Sequence, residues 1–299
     1  MKFDICMAFD KAEYLNPEIY LMLDTLKNKI DDDTVLHIVT NRSKDDEMRK
    51  FIKEDFNSKI YYVSKDLVNS LDSRCRYMLN CFKMKTDKEW VMKIEADVLF
   101  LKHLSEYESL LKDDLDLVIE PENRKIFPDE FETRLWRLMY RAMKIKVPTE
   151  KIQFRENGEM GLPLFGTGIF FVKSKHLDTI NKRWMKLTQI CERWMHMNVH
   201  PNEQAFTGMA LDEGWKIHLY HPRYKFNPIG HWRKDAFPSV ELIDDCVLPG
   251  DTVCFDYHRP EWLMHVAKFN KSISDIVCRN DKYIPKEWWN LGMGDFHER

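Results

Sequence analysis

Residues 90–101 read WVMKIEADVLFL, and this stretch decides the class of fold. Its apolar residues predict one continuous strand, buried in a parallel sheet that is covered on both faces. Glu95 and Asp97 interrupt the apolar run, and because they are two positions apart in an extended chain, their side chains point to the same side. Burial of unpaired carboxylates costs several kcal/mol. The sequence therefore predicts a positive group beside these two acids.

The stretch belongs to a regular alternation of strand-like and helical segments in the first half of the chain. Such alternation predicts βαβ units and a mostly parallel sheet with right-handed crossovers, which is an α/β fold. Because ligands bind at the carboxyl ends of such strands, we expect Asp10, Asn41, Glu95 and Asp97 to share one crevice. The predicted strands are FDICMAF (3–9), TVLHIVT (34–40), KIYYVS (59–64), LDLVIEPEN (115–123), LFGTGIFFVKS (164–174), KIHLYHP (216–222) and DTVCFDYH (251–258), the predicted helices lie near residues 17–29, 44–54, 73–86, 128–148, 175–197 and 201–215, and residues 260–299 have no clear periodicity.

Composition limits the class of protein. The chain has 299 residues, of which 44% are hydrophobic, so it can bury a large core, and its net charge of -3 argues against a surface devoted to nucleic acid. It contains no apolar run of about 18 residues and no signal-peptide core, which predicts a soluble cytoplasmic protein without a membrane partner. The seven cysteines form no CxxC pair, which indicates reduced thiols. No linker is evident, so we expect one domain over residues 1–299.

Four segments, in this order, resemble the nucleotide-sugar-dependent glycosyltransferases of the GT-A fold, most closely the glycogenin and galactosyltransferase-like group. IEADVLFLKHL resembles the aspartate-any-aspartate motif of that group, with Glu95 in place of the first aspartate. LFGTGIFFVKS resembles a strand that opens with a small-residue turn, with Gly166 where asparagine is usual. NEQAF followed by YKFNP resembles an acidic-glutamine helix start and a tyrosine-asparagine segment, and VCFDYHRPEW resembles a late strand that ends in a metal-binding histidine. The resemblance covers roughly residues 3 to 262.

The resemblance implies a Rossmann-like GT-A fold with a central mixed, mostly parallel sheet, a nucleotide-binding half at about 1–123 and an acceptor half at about 124–299. It also implies transfer of a sugar, with retention of configuration, from a nucleoside diphosphate sugar, above all a UDP-sugar, to an acceptor hydroxyl. Mn²⁺ or Mg²⁺ would assist the departing diphosphate. The implied metal ligands are Glu95, Asp97 and His258, with His265 as the rival histidine, and the implied residues at the reacting sugar are Glu203 and Gln204. The implied donor site comprises Ala8, Phe9, Asp10, Tyr14, Asn41, Arg76, Glu95 and Ala96. The implied acceptor site comprises Gly168, Arg137, Arg141, Asn227 and Trp232.

A basic stripe, defined as Arg134, Arg137, Arg141 and Lys144, follows from spacings of three and four residues on one predicted helix. A solvated helix face is the commoner reason for such a stripe. If it binds a ligand, the ligand is anionic, and an acidic glycan or DNA with a hydroxymethylated base both satisfy that requirement.

Several of these residues also fit a purely structural role. Glu95 and Asp97 are compatible with an ion-pair network that includes Lys93, Arg74 or Arg76. Glu203 and its neighbours are compatible with a helix cap.

Two more classes of function are compatible with the sequence. One is a non-catalytic relative that binds a glycan or a partner. The other is a nucleotidyltransferase, although such an enzyme requires a basic glycine-rich loop where this chain has MAFDKAEYLNP.

Overall fold

A computed structural model describes residues 1–9, 16–43, 46–63, 81–122, 129–154, 158–193, 201–227, 248–257 and 259–291. The strands are β1 (Phe3–Phe9), β2 (Leu36–Thr40), β3 (Ser58–Tyr62), β4 (Trp90–Lys93), β5 (Val98–Phe100), β6 (Leu117–Pro121), β7 (Ile152–Gln153), β8 (Met160–Gly161), β9 (Phe165–Lys173), β10 (Ile217–Leu219) and β11 (Cys254–Asp256). The helices are α1 (Asn16–Leu26), α2 (Glu47–Asp55), α3 (Asp129–Met143), α4 (Leu177–Glu192), α5 (Pro201–Asp212), α6 (Pro260–Phe269), α7 (Lys271–Arg279) and α8 (Lys286–Leu291).

Seven strands form the central sheet in the order β10-β6-β9-β4-β1-β2-β3. All neighbouring pairs are parallel except those of β9, which runs antiparallel to both β4 and β6. The predicted mixed, mostly parallel sheet is confirmed. Since β1, β2, β4 and β6 run in the same direction, they all end at one side of the sheet, here called the carboxyl edge, and begin at the other, here called the amino edge.

Both faces of the sheet are covered, which explains the nearly uninterrupted apolar strands. Successive strand residues enter opposite hydrophobic clusters: Cys6 and Val91 pack with α3, α4 and α5, whereas Ile5 and Met92 pack with α1 and α2. Two small antiparallel sheets, β5 with β11 and β7 with β8, lie beside the central one.

The predicted continuous strand over residues 90–101 is wrong. The chain leaves the central sheet after β4, where the Ile94 amide still donates to the Cys6 carbonyl at 3.0 Å, and it re-forms as β5 against β11. The two acids lie in the intervening bend. Charged side chains between two apolar faces would be buried without water, so the chain turns out of the sheet at the point where they occur.

Two further predictions about secondary structure need correction. The helix predicted near 73–86 is absent over residues 81–86, which form a turn followed by chain without regular secondary structure, and residues 73–80 lie outside the described part. The segment after residue 260, which lacked a clear period, forms α6, α7 and α8 up to Leu291. Pro260 opens α6, and the Asn270 side chain caps α7 by accepting from the Ile273 amide at 3.1 Å. Within the described residues, none of the helices has the length and hydropathy to cross a membrane.

Candidate active site

A bulge in β9 lies at the carboxyl edge. In the pairing of β6 with β9, Ile119 pairs with Phe170 but Glu120 pairs with Gly166, so residues 167–169 have no partner on β6. Strand β4, on the other side, has already ended. A bulge of this kind leaves buried backbone groups that side chains must satisfy.

Two side chains satisfy the carbonyl groups of the bulge. The buried Lys93 ammonium donates to the carbonyl oxygens of Thr167 and Gly168 at 2.6 and 3.2 Å, and to Glu95 Oε1 at 2.7 Å. The Tyr220 hydroxyl donates to the Ile169 carbonyl at 2.7 Å. Lys93 therefore connects the bulge to the first acid of the motif.

A second buried lysine, Lys225, lies on the other side of the bulge. Its ammonium donates to Glu120 Oε1 at 2.6 Å and to Asp256 Oδ2 at 2.9 Å. The Asn227 side-chain amide also donates to Asp256 Oδ2, at 3.0 Å. Burial alone would lower the pKa of Lys225, but Asp256 and Glu120 raise it well above its usual value. Lys225 is therefore a permanent cation within the site.

The glycines of the bulge leave room for these charged groups. A Cβ atom on Gly168 would lie 2.5 Å from Lys225 Nζ and 2.9 Å from Glu95 Oε2, and one on Gly166 would lie 2.9 Å from Glu120 Oε1. A side chain at either position would displace an ion-paired group. This explains why glycine stands at 166, where the family that the sequence resembles usually has asparagine.

The acids at this edge carry perturbed pKa values. Burial raises the pKa of Asp97 well above its usual value, and the neighbouring carboxylates of Asp256 and Glu95 raise it further, whereas Lys225 opposes them. Burial likewise raises the pKa of Glu203, with Glu95 among the acids that add to the effect. The predicted catalytic and metal-binding acids thus lie in one electrostatic cluster. Such shifts are typical of functional sites.

The start of α5 is fixed against the bulge. The Asn202 side-chain amide donates to Thr167 Oγ1 at 3.2 Å, and the Trp184 indole donates to the Asn202 backbone carbonyl at 2.8 Å. Glu203 and the buried Gln204 follow in the first turn of this helix. The helix is therefore oriented by its contacts with β9 and α4, independently of any ligand.

The ends of β1 and β2 form the predicted nucleotide side of the edge. Ala8 and Phe9 are the last residues of β1, and the buried Asn41 follows β2. The buried Arg42 lies with its guanidinium carbon 5.6 Å from the centre of the Phe9 ring and donates to Asn16 Oδ1 at 2.5 Å. Sequence reasoning missed Arg42, although a cation directly after a strand end is a recognisable signal.

Some of the predicted site residues lie elsewhere or are not described. Arg137 and Arg141 of α3, with the rest of the basic stripe, are exposed to solvent, and Ala96 lies in the bend between the two acids. Sequence reasoning also missed Asp256, Glu120 and Lys225, although a charge within an apolar run, the signal used for Glu95, marks Glu120 and Asp256. Outside the described residues lie Asp10, Tyr14, Arg74, Arg76, Trp232 and His258.

The carboxylates in the bend after β4, Glu95 and Asp97, are suitable ligands for the divalent ion that the predicted fold implies. Carboxylate oxygens are the ligands that Mn²⁺ and Mg²⁺ prefer, and burial, followed by the nearby carboxylates of Asp256 and Glu95, raises the pKa of Asp97, an effect that a bound cation would oppose. Among the described residues, no three His, Cys, Asp or Glu side chains are grouped as a complete metal site. Glu95 already pairs with Lys93, which is one of the contacts expected of a structural ion-pair network.

Comparisons with known proteins concern the fold. No family model matches the chain, and no curated protein matches it in sequence. An active-site mutant of LgtC superposes with a TM-score of 0.57 at 16% identity, covering 96% of this chain and 99% of that one. The galactosyltransferase LgtC with donor and acceptor sugar analogues gives 0.55 at 15% identity, with the same two coverages.

The protein has a GT-A fold. The apo form of mouse xyloside xylosyltransferase 1 is also similar, with a TM-score of 0.50 and 14% identity over 85% of this chain and 97% of that chain. The predicted fold class and the resemblance to GT-A glycosyltransferases are thereby confirmed. At identities this low the similarity establishes the fold, and the activity is a separate question.

Proposed function

We propose that the protein is a glycosyltransferase that moves a sugar from a nucleoside diphosphate sugar to an acceptor hydroxyl. One observation carries the proposal: Glu95, Asp97 and Glu203 belong to one electrostatic cluster at the carboxyl edge of a GT-A fold. Ligands bind at the carboxyl ends of the strands in open α/β sheets. The solved glycosyltransferases of similar fold, one of them holding donor and acceptor analogues, support the same reaction class.

The donor side of the site lies at the ends of β1, β2 and β4. We assign the nucleotide to this side and take a UDP-sugar as the first donor to test, on the strength of the sequence resemblance. Asp97 and Glu95, together with His258, would hold Mn²⁺ or Mg²⁺. A bound divalent ion would supply Lewis-acid stabilisation of the charge on the departing diphosphate. The donor-site residues are Ala8, Phe9, Asp10, Tyr14, Asn41, Arg76, Glu95 and Ala96.

Glu203 and Gln204 are the proposed groups at the reacting sugar. A glutamate whose pKa is raised by burial is a stronger base, and so a better proton acceptor for a hydroxyl, than an ordinary exposed one. The buried Gln204 is neutral and is suited to hold a polar group of the sugar in place. Retention of configuration is proposed from the resemblance alone, and the anomeric form of the product tests it by NMR.

The acceptor is proposed to approach from the half of the chain after residue 124. Gly168 and Asn227 adjoin the charged cluster, and Trp232 belongs to the same proposed site. The exposed basic stripe on α3 favours an anionic glycan. Hydroxymethylated DNA has the same charge but no further support from the structure.

A second candidate function is binding of a nucleotide sugar without turnover. The Lys93–Glu95 pair, at 2.7 Å, favours it, because the first acid of the motif already has a cationic partner. The decisive experiment incubates the purified protein with a panel of nucleotide sugars and Mn²⁺ and follows release of the nucleoside diphosphate. Turnover by the native protein, lost in Asp97→Asn, supports the glycosyltransferase. Saturable binding of a donor without any release would establish the binding protein instead.

The stripe is tested separately with Arg137→Glu combined with Arg141→Glu. If the acceptor is anionic, its KM rises about tenfold or more at low salt while donor hydrolysis is unchanged, because hydrolysis of the donor does not require the acceptor. For a DNA acceptor, log K falls with log salt with a slope of about 0.9 for each phosphate contact. Identical acceptor kinetics in the double variant would show that the stripe is an ordinary solvated helix face.

A further inference from the structure

Lys225 occupies a position that packing alone does not require. Its side chain is 7% exposed, and its ammonium contacts carboxylates from two different strands, Glu120 of β6 and Asp256 of β11. The site of a Cβ atom on Gly168 is 2.5 Å from Lys225 Nζ and 2.9 Å from Glu95 Oε2. Lys225 Nζ is therefore also close to the first acid of the motif.

The end of β11 adjoins the bend that carries the motif. The Tyr257 amide donates to the Asp97 carbonyl at 3.2 Å, and Asp256 precedes Tyr257. The carboxylate that Lys225 holds is thus next to the proposed ligands of the divalent ion. An ammonium in this position repels a divalent cation and draws on the same carboxylate charge.

Structural need alone accounts poorly for this lysine. A buried ion pair is often no more stabilising than apolar side chains of similar volume, because both charges lose their hydration. Here the chain additionally has glycine at 166 and 168, where a Cβ would displace Glu120 and Lys225 respectively. The absence of a side chain at positions 166 and 168 of β9 therefore leaves the space that Lys225 and its partner Glu120 occupy.

We propose that Lys225 is a positioning residue that holds Asp256 and Glu120 in place and weakens the binding of the divalent ion at the site. The inference rests on the proposed function. Its consequence is that the ion is held firmly only when the diphosphate contributes its own negative charge, so ion and nucleotide bind cooperatively. Lys93 has the corresponding role for the bulge and Glu95, but its contacts with two backbone carbonyls make it necessary for the fold as well.

The test measures Mn²⁺ binding by electron paramagnetic resonance, with and without UDP, at one fixed pH, because protons compete with the metal for the acids. Lys225→Met, which keeps an unbranched side chain of similar length and removes the charge, is expected to bind free Mn²⁺ at least about fivefold more tightly than the native protein. UDP should then increase the Mn²⁺ affinity by a smaller factor than in the native protein. Lys225→Arg, which keeps the charge, should remain within about twofold of the native affinity.

Lys173→Met is the matched control. Lys173 is a buried lysine at the other end of β9, where its ammonium lies 2.9 Å from Glu89 Oε1, so its loss tests the removal of a buried cation far from the motif. Its Mn²⁺ affinity should equal that of the native protein. Equal tightening in both variants would overturn the inference, since the effect would then not be local.

A second readout covers the possibility that Lys225→Met unfolds. Lys225→Met combined with Glu120→Gln removes one charge of each sign, so it should recover most of the lost thermal stability and still bind Mn²⁺ more tightly than the native protein. Native-like or weaker Mn²⁺ affinity in this folded variant would overturn the inference. A native protein that binds no Mn²⁺ at all would instead overturn the metal-dependent function, and with it the role given to Lys225.

Discussion

The two edges of the central sheet both contain carboxylates with perturbed pKa values, but the perturbations have opposite signs. At the amino edge, the pKa values of Asp4 and Asp116 are lowered. At the carboxyl edge, the pKa values of Asp97 and Glu203 are raised. The same kind of side chain therefore stabilises the fold at one edge and destabilises it at the other.

The amino edge supplies each acid with specific donors. Burial alone would raise the pKa of Asp4, but hydrogen bonds from His37 Nε2 at 3.3 Å, Thr86 Oγ1 at 2.5 Å and the Val35 amide at 3.0 Å lower it. The pKa of Asp116 is likewise raised by burial but lowered overall by contacts with Lys175 and His176 and by the Lys216 backbone amide, which donates to Asp116 Oδ2 at 3.1 Å. These are the features of a structural acid.

The carboxyl edge places acids next to other acids. Burial and the nearby carboxylates of Asp256 and Glu95 raise the pKa of Asp97, and, among the described residues, the buried lysines Lys93 and Lys225 donate to the other acids Glu95, Glu120 and Asp256. Placing like charges together costs stability, and proteins tolerate such an arrangement where a ligand compensates for it. The contrast with the amino edge is the physical reason for assigning function to the carboxyl edge.

The largest expected effect is on sugar transfer, which we expect to depend on the acids of the carboxyl edge and not on those of the amino edge. Asp97→Asn should lower sugar transfer at least about 100-fold, because it removes an anionic oxygen that the divalent ion needs. The same change should raise the free energy of unfolding by roughly 1 kcal/mol, since it removes a repelled charge. Steady-state kinetics and urea unfolding measure the two quantities.

Asp4→Asn is the matched control at the amino edge. It should leave kcat within about twofold and lower the free energy of unfolding by about 1 to 2 kcal/mol, because it weakens charge-assisted hydrogen bonds. A loss of stability in both variants would contradict the division between the edges, even if Asp97→Asn were inactive.

The division between the edges was partly predictable from the sequence. Strand patterns identified β1, β2 and β4, and the rule for βαβ units placed Asn41 and the pair Glu95 and Asp97 at the carboxyl edge, as the parallel pairing of these strands confirms. Local periodicity and chain connectivity suffice for this step, because neither depends on distant contacts.

The partners of these acids were not predictable in the same way. Lys225 and Glu120 are 105 residues apart, and they meet only because the bulge in β9 shifts the register between β6 and β9. The separate strand β5 was missed for a related reason, since only its pairing with the distant β11 takes it out of the central sheet. The short helices α6, α7 and α8 gave too little periodic signal to be found.

The next largest effect is steric and concerns the crowding of charged groups at the carboxyl edge. Gly168→Ala should lower the free energy of unfolding by about 1 to 3 kcal/mol, because its Cβ would lie 2.5 Å from Lys225 Nζ. Gly250→Ala is the control, since a Cβ there meets nothing within 4 Å. It should change stability by less than about 0.5 kcal/mol. If chemical unfolding gave a similar decrease in the free energy of unfolding for both variants, the ion-paired side chains at the bulge would be able to move aside at little cost.

The smallest effect is a difference in pH dependence. The pKa of Asp4 is lowered from 3.8, so its contribution to stability is complete above about pH 4 and is lost as the pH falls through its folded pKa. The pKa of Glu203 is raised from 4.5, so the folded state binds the proton more tightly and stability falls as the pH rises above about 4.5. Urea unfolding between about pH 2 and pH 8 measures both contributions.

Each edge should therefore control one limb of the stability profile. Asp4→Asn should reduce the loss of stability on the acid side and leave the neutral side unchanged. Glu203→Gln should leave the acid side unchanged and become more stable than the native protein by about 1 kcal/mol as the pH approaches 8, because the amide cannot ionise. Saturating Mn²⁺ and UDP should shrink this gain if the proposed ligands bind beside Glu203. A Glu203→Gln profile parallel to that of the native protein would mean that Glu203 ionises normally, and that the raised pKa values at the carboxyl edge are confined to Asp97.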